Sequence, residues 1–199
     1  MKPETCHYHL GTCREDEFAH NVCFQPHIVY LANSSALKIG ITRIVNMPSR
    51  WLDQGATQAL PILKVGSRRL SGHLETMFGT QIADKTDWRK LLKGEAEPLD
   101  LIEQRDQILE EFAPKIQTIR DEFSQNLEFQ ETVEFLENEL PREFMYPVEH
   151  YPEKIKSLNL DKTPTIRGVL QGIKGQYLLF DIGVINIRKY TGYELILRV

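Results

Sequence analysis

Ile28-Val29-Tyr30-Leu31-Ala32, then Asn33-Ser34-Ser35, then Ala36-Leu37-Lys38-Ile39-Gly40-Ile41-Thr42 is the stretch whose reading decides the fold. Two runs rich in β-formers flank a polar turn, which predicts a hairpin. Side chains alternate faces along a strand, so Val29 and Leu31 oppose Ile28, Tyr30 and Ala32, while Leu37, Ile39 and Ile41 oppose Lys38, Gly40 and Thr42. Burying the leucines and isoleucines of the second strand with Val29 and Leu31 places Tyr30 on one face with Lys38, Gly40 and Thr42. That pairing requires an odd-numbered loop.

Working outward, Pro48 suits a first helical position, a short helix follows through residue 54, and Gly55 ends it. Residues 59–69 form a third strand candidate. Ser71 is expected to cap a second helix over 72–83, with Leu74, Phe78 and Ile82 as its apolar stripe. Glu75 then lies at the edge of that stripe, about 20° from Ile82 on the helical wheel, where a carboxylate needs a partner. Further on, residues 97–125 read as one long acidic helix with Leu101, Ile108, Phe112, Ile116 and Ile119 on its apolar face and a kink expected at Pro114. Its expected role is packing. Short apolar runs with repeated glycines after Pro164 predict an antiparallel β-meander.

A chain of 199 residues with 41% hydrophobic composition allows one moderate core or two small ones. No apolar run approaches the roughly 20 residues needed to cross a bilayer, and the first residues lack the apolar centre of a signal peptide. The expectation is a soluble, cytoplasmic protein with no membrane partner. The net charge of −4 is unevenly distributed: −2 over 1–37, +6 over 38–93, −11 over 94–160 and +3 over 161–199. The basic block, with Arg43, Arg68, Arg69, Lys85 and Arg89, can hold phosphates of a nucleic acid; it can equally be a solvated surface neutralised by the acidic helix. Trp88 beside Arg89 can stack on a base or pack in a core with Leu91 and Leu92.

The segment from His27 to Ala56 resembles the GIY-YIG nuclease superfamily, in particular its phage-type branch in which the second motif reads KIG followed by Thr. Ile28-Val29-Tyr30 stands at the first motif and Lys38-Ile39-Gly40 at the second. Arg50 matches the position of the family's catalytic Arg, and Glu75 resembles its metal-binding Glu. The motifs CHYHLGTC, KIGITR, DQGA and DKTDWR together also resemble an uncharacterised bacterial family. The fold implied is α/β of the α+β kind: a small antiparallel sheet flanked by helices over 28–93, an acidic helical connector over 94–157 and a C-terminal β-module over 158–199.

The resemblance implies a nucleic-acid-processing protein, a divalent-metal-dependent endonuclease using Mg or Mn. Phosphodiester hydrolysis needs an activated water, a cation at the scissile phosphate and help for the leaving oxygen. Tyr30 would orient or deprotonate the water, Arg50 would stabilise charge on the phosphate, and Glu75 would hold the ion. A tyrosine is a poor base near neutrality unless cations lower its pKa of about 10, and Lys38 on the same face is a candidate for that. Each residue has a plainer reading too: Tyr30 as a strand aromatic, Arg50 paired with Asp53, Glu75 bridged to Arg43, Arg68 or Arg69. Lys38 also replaces one of the two tyrosines common in active members. The alternative is therefore a non-catalytic, zinc-containing nucleic-acid-binding protein with a degenerate nuclease fold.

Residues 1–27 are poor in apolar periodicity and cannot form a core unaided. They hold all three cysteines, an odd number in a chain without an export signal, which speaks against a disulfide framework. Cys6, His9, Cys13 and Cys23 are the candidate zinc ligands; reduced thiols and solvent-facing imidazoles are the other reading.

Overall fold

The computed structural model describes residues 2–83, 85–124 and 132–198. The N-terminal segment consists of single turns at Pro3–Thr5 and Tyr8–Leu10, then helix α1 (Asp16–Phe18), which widens into a π-helical turn at Ala19–Cys23. Among these turns only Ala19 is buried, so the segment has no core of its own. It is held by docking. A Cβ added at Gly72 would stand 2.5 Å from Pro3 Cβ and 2.6 Å from the Glu4 nitrogen, so only glycine admits this approach.

Strands β1 (His27–Asn33) and β2 (Leu37–Arg43) pair antiparallel, with Leu31 opposite Ile39 and Tyr30 opposite Gly40. Ser34, Ser35 and Ala36 form the loop, so it is odd-numbered. Strand β3 (Gln58–Val65) lies on the other side of β1, which is therefore a central strand, and all seven of its residues are buried. The β1/β3 register shifts between Val29 and Tyr30, which face Leu63 and Pro61, so Ile62 is the extra residue on β3 and Pro61 sits beside it. A bulge is the position at which a central strand tolerates a residue without an N–H.

Helix α2 (Ser49–Asp53) covers one face of the sheet through Trp51, which packs with Ile28, Tyr30, Ala32 and Ala59. Pro48 immediately precedes this helix, after a cis Met47–Pro48 peptide. Helix α3 (Arg68–Phe78) covers the opposite face, with Leu70, Leu74 and Phe78 against Val29, Leu31 and Ile39. Its cap is Ser67, whose side chain accepts from the Leu70 N–H at 3.1 Å. Ser71, the expected cap, lies inside the helix and donates back to the Arg68 carbonyl at 2.8 Å. Ile82 follows the helix end and packs on the same core. Helix α4 (Trp88–Leu91) is one turn, capped by Asp87.

Helix α5 (Leu101–Ser124) runs through Pro114 without ending and places Leu101, Ile108, Phe112 and Ile116 in the core beneath the sheet. Strands β4 (Val133–Phe135) and β5 (Arg142–Glu143) then add to the free side of β3. The resulting order is β2-β1-β3-β4, with β5 also on β3. A second antiparallel sheet, β6 (Leu170–Lys174), β7 (Tyr177–Phe180) and β8 (Gly183–Asn186), packs Tyr177, Leu179 and Val184 on Leu91 and Leu92. The chain is thus a mixed α+β protein of antiparallel sheets and a long helix. Among the described residues no helix is long and apolar enough to cross a membrane.

Candidate functional site

Four elements meet at the outer strand β2. Tyr30 from β1, Lys38 from β2, Arg50 and Gln54 from α2 and its end, and Glu75 from α3 line one cleft of about 250 Å³, with Pro3 of the N-terminal segment on its wall. Helices α2 and α3 lie on opposite faces of the sheet. Their polar side chains reach one another only by converging over its edge, where Ile39, Gly40 and Ile41 form the floor.

Tyr30 is the pivot. Its ring is fully buried, edge-on to Trp51 with centroids 5.8 Å apart, and it lies over Gly40. Its hydroxyl donates to Gln54 Oε1 at 2.9 Å, and the Arg50 guanidinium lies close enough to act on it electrostatically. Burial pushes the phenol above its ordinary pKa; Arg50 opposes this and the Glu75 carboxylate reinforces it. With these neighbours alone the phenol keeps its proton at neutral pH. Gln54 was missed in the sequence, although a signal existed: it follows Arg50 by four residues, and such pairs share a helical face. Among the described residues no ion pair joins Arg50 to Asp53.

The cleft brings together two cations, Lys38 and Arg50, and one carboxylate, Glu75. Magnesium is commonly held by one or two carboxylates plus substrate phosphates. The donor set fits an ion that arrives with a phosphate, which Lys38 and Arg50 would attract.

The basic residues read as a nucleic-acid surface are dispersed, and none of the five lines the cleft. Arg43 and Arg68 lie near His27 at one end of the sheet. Arg69 stands 4.7 Å over the Phe123 ring. Lys85 is exposed, and the Arg89 guanidinium covers the Trp88 ring at 4.4 Å near the hairpin loop, where Asp87 N–H donates to Ser35 Oγ. Trp88 itself stacks on Tyr177, ring planes 7° apart, and packs with Leu91 and Leu92.

Cys6, His9 and Cys23 line a second pocket of about 10 Å³ with Arg69 and Ser67. That is space for one water-sized occupant. Cys13 is not among its lining residues. Burial pushes the Cys23 thiol up, Arg68 opposes, and Cys6 and Cys13 add to the rise. Among the described residues no three His, Cys, Asp or Glu side chains are grouped so as to hold a metal ion.

Fold and cleft define a mixed α+β protein with a polar, cation-rich site over a sheet edge. The chain belongs to the family described as "Protein of unknown function (DUF2797)", whose model matches residues 1–195. No curated protein and no solved structure matches the chain.

Proposed function

We propose that the cleft over β2 binds a phosphodiester of a nucleic acid and, with a divalent ion on Glu75, hydrolyses it as a metal-dependent endonuclease related to the GIY-YIG nucleases. The observation that carries this reading is the convergence of Tyr30, Lys38, Arg50, Gln54 and Glu75, spread over 46 positions of sequence numbering between residues 30 and 75, on one cleft. Arg50 offers a planar guanidinium suited to phosphate oxygens and Lys38 a point charge beside it. The Tyr30 hydroxyl, held by Gln54, orients the attacking water rather than deprotonating it. Glu75 would hold Mg or Mn, which supplies charge neutralisation at the phosphate and a more acidic water.

The test is a panel of single-stranded, duplex and branched DNA and RNA, incubated with magnesium or manganese. Wild type is expected to cut at least one substrate, and Glu75→Gln to lose about 10²-fold or more of that rate, the scale typical of removing one electrostatic contributor. No cleavage of any substrate by pure wild-type protein would end the catalytic reading.

A second reading is favoured by the raised Tyr30 pKa and by Lys38 standing where active members of the wider superfamily commonly have tyrosine. In it the cleft holds nucleic acid without cutting, and zinc would need Cys6, His9 and Cys23 to close on it. Salt-dependent binding without cleavage would select this reading.

A further inference from the structure

The helix that carries Arg50 is only five residues long, and a helix this short does not hold itself. Its last carbonyls lack partners within the helix. The Gly55 N–H reaches the Leu52 carbonyl at 2.9 Å and the Ala56 N–H that of Trp51 at 3.1 Å, and a side chain from far downstream holds this turn in place: the Tyr146 hydroxyl donates to the Ala56 carbonyl, just past α2, at 2.9 Å and lies 3.2 Å from that of Leu52. The same end of α2 is pressed by the β6–β7 turn. Gly175 has φ +57, and a Cβ there would stand 2.9 Å from the Asp53 carbonyl and 3.0 Å from the Gly55 nitrogen. Between these two contacts Lys174 is wholly buried. Its ammonium donates to the Gly94 carbonyl at 2.8 Å and to the Tyr151 hydroxyl at 3.3 Å, and it stands 5.8 Å and 5.0 Å from the Tyr146 and Tyr151 ring centroids. A buried ammonium satisfied in this way fixes both rings, because moving either exposes an unpaired charge to an apolar interior.

We infer that the C-terminal β-module is a brace for α2, and that Tyr146 is a positioning residue acting through α2 to aim Arg50 and Gln54 into the cleft. This rests on the phosphodiester reading of the cleft for its functional consequence and on geometry alone for the brace. Lys174 and Gly175 seat the brace; Tyr146 transmits it.

The experiment combines a thermodynamic cycle with amide exchange on the full chain. Affinity for a labelled single-stranded oligonucleotide is measured for wild type, Tyr146→Phe, Arg50→Gln and the double variant, without divalent ion. Tyr146→Phe keeps the ring and removes one hydrogen bond, so affinity is expected to fall about three- to tenfold. In the Arg50→Gln background the same change is expected to have no further effect. Amide exchange over 49–56 is expected to quicken in Tyr146→Phe, and likewise in Lys174→Met, which keeps the aliphatic stem. Additive losses in the double variant, or unchanged exchange over 49–56, would overturn the inference. Should wild type bind no oligonucleotide, the phosphodiester reading falls, and the exchange measurement alone decides the brace.

Discussion

Tyr30 lies directly across Gly40 on the neighbouring strand, and a methyl group added at residue 40 would stand 2.7 Å from both Cζ and the hydroxyl oxygen of Tyr30. The ring cannot yield, because Trp51 flanks it and Gln54 holds its hydroxyl. Gly40→Ala is therefore expected to destabilise the protein by about 1–3 kcal/mol through overpacking. Urea unfolding checks this. A Gly40→Ala, Tyr30→Leu double variant should recover part of the loss; a fully additive double variant would show that the two side chains do not collide.

Lys38 and Arg50 predict the salt dependence of nucleic-acid binding. Each phosphate contact removed lowers the slope of log affinity against log salt by about 0.7–0.9. Lys38→Gln is expected to do so, whereas Lys85→Gln, away from the cleft, is expected to change the slope less. Equal effects from both would place binding on the general basic surface instead.

Gly72→Val should displace the N-terminal segment, since Pro3 and Glu4 occupy the space a side chain needs. Limited proteolysis is expected to cut before residue 27 while the sheet stays protected, and Cys6 and Cys23 are expected to react faster with a thiol reagent. Unchanged labelling rates would show that the segment is anchored elsewhere.

His27 predicts acid sensitivity. It is 4% exposed, donates from Nδ1 to the Gln25 carbonyl at 2.7 Å, and has its pKa lowered chiefly by burial, with Arg68 and Arg43 adding and the Gln25 bond opposing. The folded protein then binds fewer protons than the unfolded chain below about pH 6.5, so stability falls as pH drops through that value towards the folded pKa. The urea midpoint should decrease between about pH 7.5 and about pH 5, and His27→Gln should flatten that dependence. An undiminished slope in the variant would assign the effect to other groups, such as His73.

Phe112→Ala tests whether the acidic helix is part of the core. Phe112 is 1% exposed and packs on Phe78 with ring centroids 5.1 Å apart. A loss of about 3–5 kcal/mol is expected, and loss of the sheet signal in the same transition would show α5 and the sheet unfolding as one unit.

The hairpin, its register and its odd loop were legible in the sequence, because alternation along a strand is a property of adjacent residues. The same local logic put Leu74 and Phe78 on one face of a helix and identified the apolar side of the long helix. The cap was misplaced: the sequence reading put Ser67 in the third strand and the cap at Ser71, whereas the helix starts one turn earlier, with Leu70 packed under the sheet and Ser67 accepting from its N–H. The Tyr30 pKa was not legible at all. It depends on Trp51 of α2 closing over the second face of β1, and desolvation is set by neighbours in space.

By itself, then, the sequence determined which side chains share a face, since strand and helix periods are fixed by the backbone. Tertiary structure decided that α2 and α3, on opposite faces, meet over the edge of β2, and that residues near 146 and 174 hold the end of α2. Those are contacts between segments tens of residues apart, and chain connectivity places no constraint on them until the core has closed.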